Sequence, residues 1–105
     1  GVWFAMGGTG ALVKAFVRLF QSLGGTLRLN QDVAEIEVDA RTRRATGVRL
    51  ADGSRVVSDA VVSNADVATT YLKMVRPEAR RRMTDAKLKR MKYSMSLFVI
   101  YFGTN

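Results

Sequence analysis

The order of hydrophobic and polar positions divides the chain into short elements. Leu12, Phe16, Leu19, Phe20 and Leu23 recur at helical spacing, with Val13 and Val17 widening the apolar stripe and Lys14, Arg18 and Gln21 on the opposite side. This predicts a helix over about 10–23, entered from Gly7-Gly8-Thr9-Gly10 and stopped by Gly24-Gly25, since glycine tolerates the left-handed cap conformation. Residues 26–30 are a short strand candidate. From Val33 the chain alternates, with Ala34, Ile36 and Val38 on one face and Glu35, Glu37 and Asp39 on the other, which is the period of a half-buried strand. After the polar loop 41–44, residues 46–50 predict a second strand. Asp52-Gly53 predicts a tight hairpin in which both central residues have positive φ, and 54–58 returns as a third strand. The three form an antiparallel meander.

Beyond the meander, the unalternating run Ala60-Val61-Val62 predicts a strand over 60–64 covered on both faces. That strand and 26–30 are expected to be members of one parallel sheet, with the meander as an excursion between them. Asn64 and Asp66 are candidate caps for a helix starting near Val67. Pro77 and Glu78 suit the first turn of a further helix reaching about Lys89. Residues 97–102 form an unbroken apolar run, expected as a buried strand. With no charge and no proline, it is also the segment through which the chain is expected to self-associate.

Composition narrows the chemistry. The 105 residues suffice for one small domain, and 48% hydrophobic content argues against disorder. Cysteine and histidine are both absent, which removes disulfides, thiolate or imidazole metal sites and the commonest general base. The net charge is +8, and residues 76–92 hold eight of the seventeen basic side chains against only Glu78 and Asp85. Arg80, Arg81, Arg82, Lys87, Lys89, Arg90 and Lys92 can form a solvated face, a contact for an anionic membrane or a nucleic-acid footprint. The last would be expected to bring more base-stacking aromatics than Tyr93, so no nucleic-acid partner is expected. No stretch reaches the roughly 20 apolar residues of a membrane helix.

Individual motifs carry less. Gly7-Gly8-Thr9-Gly10 is neither GxGxxG nor a P-loop, and an ordinary turn into a helix is the simpler reading than a phosphate cradle. Glu35, Glu37 and Asp39 share a strand face, where they are expected to meet water rather than act as acid and base. Trp3, Phe4 and the stretch Met91 to Met95 can line an apolar cavity or pack into a core.

Two stretches together go further. Gly1-Val2-Trp3-Phe4-Ala5-Met6-Gly7-Gly8-Thr9-Gly10-Ala11-Leu12 precedes a helix, Gly24-Gly25 and Leu29-Asn30-Gln31-Asp32-Val33. Val61-Val62-Ser63-Asn64-Ala65-Asp66-Val67 is followed by Lys89-Arg90-Met91 and Ser96-Leu97-Phe98-Val99-Ile100-Tyr101-Phe102-Gly103. This order resembles the bacterial phytoene desaturases, within the FAD-dependent amine oxidase superfamily, over essentially the whole chain.

The resemblance implies an α/β fold, or α+β for this stretch by itself. Residues 1–66 are then a middle section of a Rossmann-type FAD-binding domain, and 67–105 the start of a substrate domain. It implies FAD as cofactor, with Val33 beside the adenine and Asn64 and Ala65 ending a strand near the cofactor. No catalytic residue and no metal site are expected. The implied substrate is a polyene hydrocarbon such as phytoene, collected by peripheral contact with the cytoplasmic side of a membrane. Ala5 stands where relatives commonly have proline, and the start at Gly1-Val2-Trp3 is expected of a cut inside a longer protein. The dinucleotide fingerprint is expected upstream, so these residues alone are expected to be inactive and not to retain FAD. A related flavoprotein (an amine oxidase, a carotenoid isomerase or a retinol saturase) is the alternative enzyme, and a small basic nucleic-acid or membrane-surface binding module the alternative of another class.

Overall fold

The computed structural model describes residues 3–94. The expected strand at 97–102, and self-association through it, lie outside the described residues. The chain divides into two compact units, Gly1–Gln31 and Asp32–Asn105.

In the first unit α1 spans Gly8–Ser22. Gly7 (φ 83°) and Gly8 (φ 76°) both adopt the left-handed conformation where the chain turns into the helix, and the Gly8 N–H donates to the Ala5 carbonyl at 2.9 Å. Consecutive positive φ values explain why this turn is built of glycine. At the other end Gly24 (φ 87°) donates to the Gln21 carbonyl and Gly25 to the Phe20 carbonyl, each at 3.0 Å. These are the paired bonds of a Schellman motif, and they take up carbonyls the helix leaves free. A side chain at Gly25 would overlap the Phe20 ring. The apolar stripe of α1 is as predicted, yet the helix buries none of its residues, and Phe16 is 64% exposed. Residues 26–30 form no strand. A strand exists only through a ladder with a neighbour, and none of the described residues supplies one.

The second unit is built on the meander. β1 spans Val33–Val38, β2 Ala45–Leu50 and β3 Arg55–Val57, in an antiparallel sheet of order β1-β2-β3. Two irregularities set its register. Val33 pairs with Leu50 and Glu35 with Arg49, which leaves Ala34 as an extra residue on β1; Glu37 pairs with Gly47 and Val38 with Ala45, which leaves Thr46 extra on β2. The first of these β-bulges corrects the expected facing. Val33, not Ala34, shares a face with Ile36, Val48 and Leu50. Ile36 and Leu50 are buried there.

The turns follow from short polar side chains. The Asp39 carboxylate accepts from the Thr42 N–H and hydroxyl, both at 2.6 Å, between β1 and β2. The Asp52 carboxylate accepts from the Ser54 N–H at 2.8 Å and hydroxyl at 2.6 Å, between β2 and β3. Only Gly53 (φ 87°) has positive φ in this second turn, so it is the three-residue loop closed by a left-handed glycine rather than the two-residue turn expected.

Residues 60–65 form no strand, contrary to expectation, and Val62 is 95% exposed. They resemble 26–30 in having no neighbouring backbone to pair with among the described residues. Asp66 caps α2, Val67–Thr69, by accepting from the Thr69 N–H at 3.0 Å. α2 continues directly into a π-helical turn at Thr70–Met74, which packs on β1. The single helix expected over 77–89 is instead a 3₁₀ turn at Pro77–Ala79 and a separate α3 at Asp85–Arg90. The break occurs because Arg80 is extended and the Thr84 hydroxyl starts a fresh helix, accepting from the Lys87 N–H at 3.3 Å. Leu88 on α3 is fully buried, and the Tyr93 hydroxyl donates to its carbonyl at 2.7 Å. No described helix is long and apolar enough to cross a membrane.

Candidate functional site

The face of the sheet opposite Ile36 and Leu50 carries charge. Glu35 is 8% exposed, although the alternation places it on the face expected to meet water. It is tolerated because two guanidiniums hold it. Arg49, its direct cross-strand partner, reaches one carboxylate oxygen at 2.5 Å. Arg76, just beyond the π-helical turn, approaches from 41 residues further along, with Nε 2.5 Å from Oε1 and Nη2 3.3 Å from Oε2. A buried carboxylate requires such neutralisation.

Glu37 is held from the far strand. Arg55 on β3 donates to its Oε2 through Nε at 2.9 Å and Nη2 at 2.7 Å. The guanidinium must cross β2 to do so, because Arg55 itself pairs with Arg49 while Glu37 pairs with Gly47. Gly47 is buried at φ 146°, and a Cβ there would overlap the Val56 carbonyl oxygen and lie 3.0 Å from the Val57 Cα. Glycine at this point thus permits the close approach of β3.

A cleft of about 540 Å³ opens on this face, walled by Glu35, Glu37, Asp39, Arg43, Arg55, Arg76 and Glu78 among others. Two of its carboxylates, Glu35 and Glu37, are each engaged by arginine. Hydrogen bonds from Arg49 first, and then from Arg76, hold the Glu35 carboxyl below the ordinary glutamate range. A carboxylate so stabilised is a weak base, so Glu35 is not poised for proton transfer. No group of three or more potential metal ligands occurs among the described residues.

The depressed Glu35 value has a consequence for stability. The unfolded chain binds this proton more tightly than the folded one, so the ion pairs contribute fully above the ordinary glutamate value. That contribution is lost as the pH falls from there through the folded value. Asp39 and Asp52 are lowered as well, chiefly by the Thr42 and Ser54 hydroxyls, and act in the same direction. Urea unfolding of the second unit is expected to weaken between about pH 5 and pH 3. Glu35→Gln is expected to start lower at neutral pH and to decline less, since the remaining slope belongs to the two aspartates. An identical slope in both proteins would show that Glu35 is not part of the acid response.

The residues expected at a cofactor are placed as follows. Val33 opens β1 and is half-buried. β1 is an edge strand, and no described strand occupies its outer side. Backbone N–H and C=O groups on a free edge can meet the donor and acceptor edge of a purine, so Val33 fits an adenine. Asn64 and Ala65 are adjacent and exposed in the irregular segment before Asp66, where the Ala65 carbonyl accepts from the Thr70 hydroxyl at 3.5 Å. Among the described residues no hydrogen bond or common cleft joins them to Val33. The Asp66 carboxylate already caps the helix that follows, which disfavours a phosphate there. Trp3 and Phe4 are exposed, at 94% and 88%.

Sequence reasoning missed the Glu35–Arg49–Arg76 cluster and the buried Arg80. The side chain of Arg80 is 4% exposed and ion-pairs with Asp85. Its Nε donates to the Val75 carbonyl at 2.8 Å and its Nη2 to the Leu72 carbonyl at 3.4 Å. One member of the expected basic face is therefore a buried clasp on the end of the π-helical turn. The only signal in the sequence was the opposite charge of Glu35 and Arg49, which a bulge had to bring into line.

A family model described as flavin containing amine oxidoreductase matches residues 1–105. Over 104 residues the chain is 47% identical to the neurosporene-forming phytoene desaturase of Cereibacter sphaeroides, covering 99% of this chain and 20% of that protein. It is 50% identical over 105 residues to the lycopene-forming phytoene desaturase of Pseudescherichia vulneris, covering 100% of this chain and 21% of that protein. It is 43% identical over 105 residues to the all-trans-zeta-carotene desaturase of Myxococcus xanthus, covering 98% and 20%. The chain thus spans about a fifth of the length of the curated relatives it matches. No solved structure matches.

Proposed function

The chain belongs to the flavin-containing amine oxidoreductase family, and on that footing we propose that it serves an FAD-dependent desaturase acting on a carotenoid precursor such as phytoene. The observation that carries this reading is identity of 47% and 50% with phytoene desaturases across effectively all its residues. In this reading residues 1–66 are a section of a Rossmann-type FAD-binding domain and residues 67–105 begin the substrate domain.

When bound, FAD would supply the hydride-accepting chemistry that desaturation of the polyene needs, and Val33, Asn64 and Ala65 are the residues of this chain that would hold it. The residues of this chain bind and position. Val33 offers the β1 backbone edge to the adenine, and Asn64 and Ala65 approach the cofactor from the segment before Asp66. Glu35 and Glu37, locked by arginines, hold the sheet together. The long apolar substrate has to be drawn from a lipid phase, so the reading includes peripheral contact with the cytoplasmic side of a membrane by basic residues of the 81–92 segment.

Because these residues alone are expected to be inactive and not to retain FAD, both tests use the full-length desaturase proposed to contain them, and its expression in cells that accumulate phytoene tests the activity. The expected result is conversion of phytoene to products with longer conjugation; an unchanged phytoene pool with oxidation of amines would refute it. The adenine contact has its own readout. Val33→Pro removes one backbone N–H at the first residue of an edge strand, where proline is tolerated. It is expected to weaken FAD binding about tenfold, the worth of one hydrogen bond, while Val33→Ile leaves it unchanged. Equal flavin content in both purified variants would remove Val33 from the cofactor site.

A further inference from the structure

A second cleft, about 580 Å³, is lined by Tyr71, Ala79, Arg80, Arg81, Arg82 and Met83. No carboxylate stands in its wall. Of the two acids flanking it along the chain, Glu78 lines the first cleft instead and Asp85 is already paired with Arg80, which is further committed to the Val75 and Leu72 carbonyls. Arg81 and Arg82 are exposed, and neither has an ion-pair or hydrogen-bond partner among the described residues. The cleft therefore presents two uncompensated guanidinium forks, whose planar donors match the oxygens of a phosphate.

We propose that this cleft binds the phosphate of an anionic lipid headgroup through Arg81 and Arg82. The lipid source is favoured over free phosphate by what surrounds the charge. Tyr71 is an amphipathic ring of the kind that settles at the headgroup level, Leu72 beside it is 40% exposed, and Met83 adds apolar wall. A free anion would instead be held by buried donors, and the buried guanidinium here is spent. Arg80 contributes indirectly, since its bonds to the π-helical turn and to Asp85 fix the backbone from which Arg81 and Arg82 project. This inference rests on the membrane contact proposed above and narrows it to two residues.

The test is sedimentation of the purified protein with vesicles of phosphatidylcholine alone or with phosphatidic acid added, at about 0.15 M salt. The unsubstituted protein is expected to bind only the anionic vesicles. The double variant Arg81→Gln/Arg82→Gln is expected to lose about 30-fold in affinity. Lys87→Gln/Lys89→Gln removes the same charge outside the cleft and is expected to lose clearly less. Equal losses in the two variants would show diffuse attraction and overturn the cleft, leaving the membrane contact standing. Failure of the unsubstituted protein to bind anionic vesicles would overturn the membrane contact itself, and the cleft with it. Release of bound protein by millimolar inorganic phosphate at constant ionic strength would show a free-phosphate site, and tighter binding to duplex DNA than to vesicles would show a nucleic-acid footprint; either overturns the lipid source.

Discussion

Gly47→Ala is expected to destabilise the second unit by about 2–4 kcal/mol, the upper part of the range for single substitutions. The methyl group would meet the Val56 carbonyl oxygen and the Val57 Cα, which are backbone atoms that no rotamer change can move aside. The positive φ of 146° adds strain for any residue with a Cβ. Relief requires β3 to draw away from β2, which breaks the Gly47–Val57 pairing and shifts Arg55 from Glu37. Hydrogen exchange of the purified protein provides the measurement. Protection is expected to fall first at the amides of 47–49 and 55–57. Unchanged protection there would mean that the β2–β3 contact is looser than the register implies.

Arg80→Ala is expected to cost about 2–4 kcal/mol, because it deletes a buried side chain together with its bonds. The Leu72 and Val75 carbonyls lose their donor, and Asp85 loses its partner. Arg80→Lys should recover only part of the loss, since one ammonium cannot reproduce a planar fork that serves three acceptors in different directions. Arg82→Ala, on an exposed side chain in the same segment, is expected to change stability by less than about 0.5 kcal/mol. Urea midpoints for the three variants check the ranking. Equal midpoints for Arg80→Ala and Arg82→Ala would mean that the clasp contributes nothing.

What the sequence disclosed was whatever a residue and its near neighbours determine. The 3.6-residue stripe and flanking glycines marked α1, period-two alternation with short polar turns marked the meander, and Asp66 marked the start of α2. Segments 26–30 and 60–64 have strand-like composition, but a strand needs a partner and the described residues offer none. The helix expected through 77–89 failed for a different reason. Arg80 is extended rather than helical and reaches back five and eight residues to the Val75 and Leu72 carbonyls, and Thr84 starts a fresh helix. Glu35 was expected in water because alternation shows only that a residue opposes the apolar face, not whether arginines from β2 and from beyond the π-helical turn will cover it. Likewise, nothing local to Val33 announces that Ala34 is the extra residue. Of the residues expected at the cofactor, Val33 stands on a strand edge, while Asn64 and Ala65 stand exposed with only a loop around them.

The extra residues at Ala34 and Thr46 also bear on solubility. An open strand edge is a template on which a foreign strand can grow, and the hazard rises with the length of edge held in regular register. Between the two irregularities only Glu35, Ile36 and Glu37 remain in unbroken pairing with β2. Three residues with two acids among them are too few and too charged to seed an intermolecular sheet. The edge is still long enough to offer its backbone to a flat aromatic base. The same local irregularity therefore guards an edge that no described strand covers against polymerisation through it.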